Sequence, residues 1–119
     1  MDTQVDIPSD RQIDIAVETF KILSDPTRLR IVWALLHGEH SVNNLADHVD
    51  ARPEAVSQHL AKLRLAGLVR KRRDGTHIYY QAQNNHVLRL VQEALSQARH
   101  NVLGLDGKVD VREVGRADG

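Results

Sequence analysis

Apolar residues recur at helical spacing along the first third of the chain. Ile13, Val17 and Phe20 mark one face of a helix predicted between about residues 10 and 23. The segment SDPT at 24–27 predicts the start of a second helix, because Asp can accept from free backbone N–H groups and Pro suits the first helical position. The chain is therefore expected to open with two consecutive helices.

Two shorter helical patterns follow, separated by a tight break. Ser41 is a suitable N-cap for the segment VNNLADHV, and Pro53 opens a further helix that runs to about Ala66. The break between the two helices is the tripeptide ARP at 51–53. Two short helices joined in this way, the second with a polar outer face, are typical of a helix-turn-helix.

A β-hairpin and one long helix complete the pattern. LVRKRR and HIYYQA have strand-like composition, and the DGT between them predicts a hairpin turn. The last helix is predicted over about residues 84–100. A helix-turn-helix followed by a basic hairpin is a winged helix, so the predicted fold is mainly α with a small β-hairpin. One such domain is expected over residues 10–103, between unstructured segments at 1–9 and 104–119.

Composition narrows the class of protein. The absence of cysteine excludes disulfides, thiolate metal sites and a cysteine nucleophile. No apolar run approaches ~20 residues, and the N-terminus lacks the pattern of a signal peptide. We therefore expect a soluble cytoplasmic protein without a membrane partner. A chain of 119 residues has a modest core, which makes association with a second copy plausible.

The formal net charge of zero hides a strong asymmetry. Residues 1–25 contain six acidic and two basic side chains, whereas residues 52–77 contain seven basic and two acidic ones. A polyanion would respond to this local field and not to the overall charge.

The predicted fourth helix has one apolar side, formed by Val56, Leu60 and Leu63. Gln suits adenine edges, and Ser and Lys suit phosphates or base acceptors. His59 lies on the flank of the apolar side. This position fits a buried hydrogen-bonding role as well as it fits a DNA contact. The candidate DNA-binding residues on this helix and the following hairpin are Ser57, Gln58, His59, Lys62, Arg64, Arg72 and Arg73.

No catalytic site is expected. Ser57 and His59 are only two residues apart on one helix, so their side chains diverge. The sequence offers no third partner for them and no Gly-rich phosphate loop. An enzyme is therefore the least favoured class.

Four segments carry a family resemblance that covers roughly residues 15–100. In order along the chain they are LSDPTRLRIVWALL, SVNNLADHV, SQHLAKLRLAGLV and RRDGTHIYY. Together they resemble the bacterial ArsR/SmtB family of winged-helix repressors. The resemblance implies a homodimer joined through its first and last helices. It also implies that the fourth helix reads the major groove of operator DNA, and that a metal or another inducer releases the repressor.

The same resemblance identifies two places for a metal. One family site uses cysteines near the third helix; they are absent here, so arsenic, cadmium or lead sensing by that route is excluded. The other lies on the last helix, with a pattern resembling Asp-x-His followed by His-x-x-His. The matching positions here hold Asn84, His86, Gln97 and His100.

Spacing along the last helix decides how such a site would form. His86 and His100 lie on one side of the helix but roughly 21 Å apart, too far to share an ion within one chain. Antiparallel packing of two copies would bring His86 of one chain to His100 of the other, with Glu93 near the dyad. Nitrogen and oxygen donors at high coordination suit Ni(II) or Co(II) better than tetrahedral Zn(II). The chain is also similar to the nickel/cobalt-responsive actinobacterial branch of the family.

Two further interpretations remain open. Asn84 and Gln97 depart from the family pattern, which favours a regulator of the same fold without metal sensing, controlled by a protein co-regulator or another signal. A winged helix can also serve as a protein-interaction module. Such a module would show no salt-dependent binding to DNA.

Overall fold

Residues 6–104 are described by a computed structural model, in which the predicted winged helix is confirmed. The elements are α1 (Asp10–Leu23), α2 (Pro26–Leu35), α3 (Val42–Val49), α4 (Pro53–Leu65), β1 (Val69–Asp74), β2 (His77–Ala82) and α5 (Asn85–Leu103). Residues 6–9 form no regular element. The rest of the predicted terminal segments, residues 1–5 and 105–119, lies outside the described residues.

Local capping explains where several helices begin. The carboxylate of Asp25 accepts a hydrogen bond from the Arg28 N–H at 2.9 Å, and Pro26 occupies the first turn of α2. Ser41 caps α3 in the same way, accepting from the Asn44 N–H at 3.2 Å. These are the starts that the sequence predicts. The backbone N–H of Arg28 also lowers the pKa of Asp25 from its usual value.

Replacing Asp25 with Ala is expected to lower the free energy of unfolding by about 1 kcal/mol at neutral pH, because the Arg28 N–H loses its acceptor. Since the pKa of Asp25 is lowered in the folded state, its ionised contribution is present above the ordinary Asp pKa. That contribution is lost as the pH falls through the folded-state value. Urea unfolding at neutral and strongly acidic pH measures both effects. Asp25→Asn is the matched control, since its amide oxygen still caps; an equal loss in both variants would contradict the capping role.

The core is one cluster beneath the helix-turn-helix. Ile31, Leu45 and Leu60, from three successive helices, are fully buried within it. By contrast, α1 contributes only Leu23 to the buried core. The apolar face predicted for α1 exists, but Ile13 and Phe20 are 48% and 56% exposed. That face therefore does not pack against the core of its own chain.

The hairpin is antiparallel, with Arg72 opposite Tyr79 and Arg73 opposite Ile78. Its turn contains Gly75 at φ +65°, as the DGT sequence predicts. Two backbone hydrogen bonds between His40 and Tyr80, of 3.1 and 2.7 Å, attach β2 to the loop between α2 and α3. The hairpin is thus joined to the loop before the helix-turn-helix near the middle of β2.

No helix within residues 6–104 is long and apolar enough to cross a membrane.

Candidate nucleic-acid interface and metal-ligand helix

The outer face of α4 is polar and basic. Val56, Leu60 and Leu63 are completely buried, which orients the rest of the helix. The side chains that the sequence singles out as groove or phosphate contacts on this helix are exposed: Ser57, Gln58, Lys62 and Arg64. This arrangement presents hydrogen-bonding groups and cations from a rigid helix, as a major-groove reader requires.

His59 lies elsewhere, on the flank between α4 and α2. Arg28 Nη1 donates to His59 Nδ1 at 3.1 Å, and Arg28 Nε donates to the carbonyl of Ile22 at 2.7 Å. Because a guanidinium can only donate, Nδ1 of His59 is the accepting atom in this contact. The contact corresponds to the core-side role that the sequence left open for His59. It links α4 to α2 and to the end of α1.

The two hairpin arginines have different surroundings. Both are exposed, but Arg72 forms a two-pronged ion pair with Glu39, in the loop between α2 and α3. Its guanidinium also lies 5.0 Å from the centre of the Tyr79 ring. Gln81 donates a further hydrogen bond to Glu39 at 2.9 Å. The hydrogen bond from Arg72 holds the pKa of Glu39 below its ordinary value, so this carboxylate is ionised at neutral pH.

Sequence reasoning did not identify Glu39. It lies 33 positions from Arg72 and 42 from Gln81, beyond any local helix or strand spacing. The backbone bridge between His40 and Tyr80 brings the two segments together. In the sequence, the only available signal was that Glu39 is an acidic residue in the loop between two predicted helices, whereas the hairpin further along the chain is basic.

The candidate metal ligands occupy one exposed face of α5. His86 lies in the first turn and His100 in the last, with Glu93 and Gln97 between them, and all four are exposed. Val87 and Val91 are buried on the opposite side. The shared face that the spacing predicts is therefore present and points away from the core of the chain.

Several of these side chains already have partners. Asn84 is the N-cap of α5, and its Oδ1 accepts from the backbone N–H of His86 at 2.9 Å. Arg89 Nη2 donates to His86 Nδ1 at 3.0 Å. Gln97 donates through its amide nitrogen to Asn101 at 3.2 Å, which leaves its oxygen available. The imidazole nitrogens and amide oxygens are suitable donors for Ni(II), Co(II) or Zn(II).

A single chain does not assemble a metal centre from the residues that the structure describes. Within residues 6–104, no group of three or more His, Asp or Glu side chains is close enough to hold an ion. A site on the exposed face of α5 therefore needs ligands from outside this part of one chain.

The helix-turn-helix, its basic outer helix and the adjoining basic hairpin define a winged-helix DNA-binding protein. A profile of the bacterial regulatory proteins of the arsR family matches residues 25–71. The HTH-type transcriptional regulator KmtR of Mycobacterium tuberculosis is 50% identical over 91 residues, covering 76% of this chain and 70% of KmtR. A cadmium resistance regulatory protein, the CadC homolog of Staphylococcus aureus, is 34% identical, covering 79% of this chain and 78% of the relative.

A solved structure agrees with these sequence matches. It is the homodimeric winged helix-turn-helix domain of Mb0332 from Mycobacterium bovis, which superimposes with a TM-score of 0.72 at 30% identity. The match covers 82% of this chain and 94% of that one. The chain belongs to the ArsR family, which confirms the resemblance seen in the sequence. It is a DNA-binding transcriptional regulator and not an enzyme.

Proposed function

We propose that the protein is a homodimeric, metal-responsive repressor that binds operator DNA in the bacterial cytoplasm. The observation that carries the proposal is the exposed polar and basic face of α4 beside a basic hairpin. A bound dimer at a promoter would exclude the transcription machinery, and an ion held between the protomers would release it.

Homodimerisation is supported by two apolar surfaces that are exposed to solvent within residues 6–104. One is the face of α1 that contains Ile13 and Phe20. The other is a groove of about 690 Å³ between α2 and α5, whose lining includes Leu29, Trp33 and Leu95. The groove also carries two arginines, Arg30 and Arg99, whereas α1 carries three acidic residues, Asp10, Asp14 and Glu18. Apolar and charge complementarity thus favour a second copy as the partner, as in the homodimeric Mb0332 domain.

The DNA contacts divide by chemistry. Gln58, at the centre of the outer face of α4, is suited to an adenine edge, with Ser57 beside it. Lys62, Arg64 and Arg73 supply charge to the phosphates. Two recognition helices related by a dyad would read half-sites about one DNA turn apart. Binding should then weaken steeply with salt, since each phosphate contact releases counterions.

For the effector, we assign His86 of one protomer and His100 of the other as the principal ligands. Glu93 and Gln97, on the same face of α5, are the supporting oxygen donors. Asn84 is the weakest candidate, because its Oδ1 caps the helix. Ligation through His86 Nδ1 would displace Arg89. A bound ion supplies a positive charge and a preferred geometry that bias one arrangement of the protomers. The cadmium resistance named for the CadC homolog supports a metal effector in general, and the donor types favour Ni(II) or Co(II), with Zn(II) next.

A regulator of the same fold without metal sensing is the second candidate. The specific observation in its favour is that His86 and Asn84 both have partners within the chain. A protein co-regulator would then control operator binding.

A mobility-shift titration with DNA from the protein's own promoter tests both proposals. We expect tight binding that falls linearly in log affinity with log salt, and a change of about 5- to 150-fold on adding Ni(II) or Co(II). Mg(II), which prefers oxygen donors and keeps its water ligands, is the matched control ion. If no transition metal changes the affinity for DNA, the regulator of the same fold without metal sensing is the candidate that remains. No binding to promoter DNA even in dilute buffer would reject the regulator itself.

A further inference from the structure

We propose that Glu39 positions the hairpin for DNA binding by holding Arg72, and that Arg72 is therefore a positioning residue and not a phosphate contact. This inference rests on the proposed DNA-binding function. It changes the role of Arg72, which the sequence analysis predicts to be a DNA contact. It also assigns a role in DNA binding to Glu39, which lies outside both α4 and the hairpin.

The contacts of Arg72 leave it poorly available to DNA. Arg72 Nε donates to Glu39 Oε1 at 3.0 Å, and Nη2 donates to the other carboxylate oxygen. Tyr79, the residue directly opposite in the hairpin, lies beside the guanidinium, whose Cζ is over the Tyr79 ring at 5.0 Å from its centre. A phosphate approaching Arg72 would have to displace an ionised carboxylate and would be repelled by it.

The pleat of the hairpin places Arg72 on the opposite face from its two adjacent basic residues, Lys71 and Arg73. Alternate residues of a strand point to opposite faces, so Arg72 shares a face with Arg70 and with the opposing residues Tyr79 and Gln81. Arg73 lies on the other face, beside Ile78. Exposed basic side chains thus project from both faces of the hairpin, but the ion pair with Glu39 occupies only one.

Glu39 joins three parts of the fold. It belongs to the loop that leads into the helix-turn-helix, it pairs with β1 through Arg72, and it accepts from Gln81 on β2. The adjacent backbone bridge between His40 and Tyr80 attaches the middle of β2. The contacts of Glu39 extend that attachment by one residue pair in each direction, toward the tip through Arg72 and toward the base through Gln81. Exposed ion pairs add little to folding stability, so the expected effect of this one is on the direction of the hairpin.

The direction in which one substitution at Glu39 changes the DNA affinity distinguishes the two possible roles of Arg72. Removing an acid near DNA ordinarily strengthens binding, because phosphate repulsion falls. If Glu39 holds the hairpin in place, Glu39→Gln will instead weaken binding, by about 3- to 10-fold. Glu54→Gln is the matched control: it removes the same charge from an exposed residue in the first turn of α4 and should leave binding equal or stronger.

The salt dependence gives a second, independent readout on the full-length protein and a promoter duplex. Arg73→Gln should reduce the slope of log affinity against log salt by about 0.9, the signature of one lost phosphate contact. Arg72→Gln should weaken binding with a much smaller change in slope. The DNA affinity of the double variant Glu39→Gln/Arg72→Gln should be no lower than that of whichever single variant has the lower affinity. The reason is that both changes break the same contact.

Amide hydrogen exchange on the free protein completes the test. Glu39→Gln should speed exchange in β1 and β2 while moving the thermal midpoint by less than about 2 °C. Tighter DNA binding by Glu39→Gln, or a slope change for Arg72→Gln equal to that for Arg73→Gln, would overturn the positioning role. If the wild-type protein binds no DNA, the proposed function fails together with this inference. If the wild-type protein binds DNA but the variants do not change binding as expected, the proposed function stands and this inference alone fails.

Discussion

Replacing Phe20 with Asp is expected to leave the protein monomeric and to weaken promoter binding by about 100-fold or more. Phe20 is 56% exposed in the single chain, on the apolar face that α1 does not bury against its own core. If a second copy covers this face, a carboxylate there would be buried without a partner, which is strongly unfavourable. Each protomer would then have to bind its half-site without the help of the other.

Sedimentation and mobility-shift measurements on the same samples check this expectation. Phe20→Leu is the control, because it keeps an apolar side chain and should remain dimeric with nearly normal DNA affinity. Circular dichroism establishes that the Asp variant stays folded, as its site contributes little to the buried core. A dimeric Phe20→Asp protein with unchanged DNA affinity would show that α1 is not part of the interface.

Removing either histidine ligand is expected to lower the affinity for Ni(II) by at least about 100-fold, more than the loss of an outer-shell contact usually costs. Both His86→Ala and His100→Ala should show this loss. His77→Ala, which removes an exposed imidazole from β2, should bind the metal normally.

Mixing the two variants distinguishes a shared site from two sites within single chains. In a heterodimer of His86→Ala and His100→Ala protomers, one interprotomer site lacks both histidines and the other keeps both. Heterodimers isolated with two different affinity tags should therefore regain one metal site of normal affinity, although neither parent protein binds. Failure of the heterodimer to regain binding would contradict the antiparallel arrangement of α5. Normal Ni(II) affinity in both single variants would remove the site from α5.

Features that depend on neighbouring residues could be read directly from the sequence. The Asp25 cap, the helix start at Pro53 and the hairpin turn at Gly75 all use interactions within a few positions. The buried stripe of α4 follows from helical spacing alone, so the exposed position of Gln58 follows with it. The shared face of His86 and His100 has the same origin.

The roles of Arg72 and His59 depend on residues far away in the chain. Arg72 resembles its neighbour Arg73 in the sequence, yet only Arg72 is paired with Glu39, 33 positions away. His59 is held by Arg28, 31 positions away. No local spacing encodes these contacts, because they exist only after the hairpin and α2 have packed around the helix-turn-helix.

The sequence by itself determined the order, type and approximate limits of the helices and strands, and which face of each helix is polar. The physical reason is that caps, turns and helical periodicity act over only a few residues. The tertiary structure alone decided that α1 leaves its apolar face outside the core, that Glu39 and Arg72 meet, and that Arg28 contacts His59. These outcomes depend on which surfaces the packed elements cover, and packing joins residues that are distant along the chain.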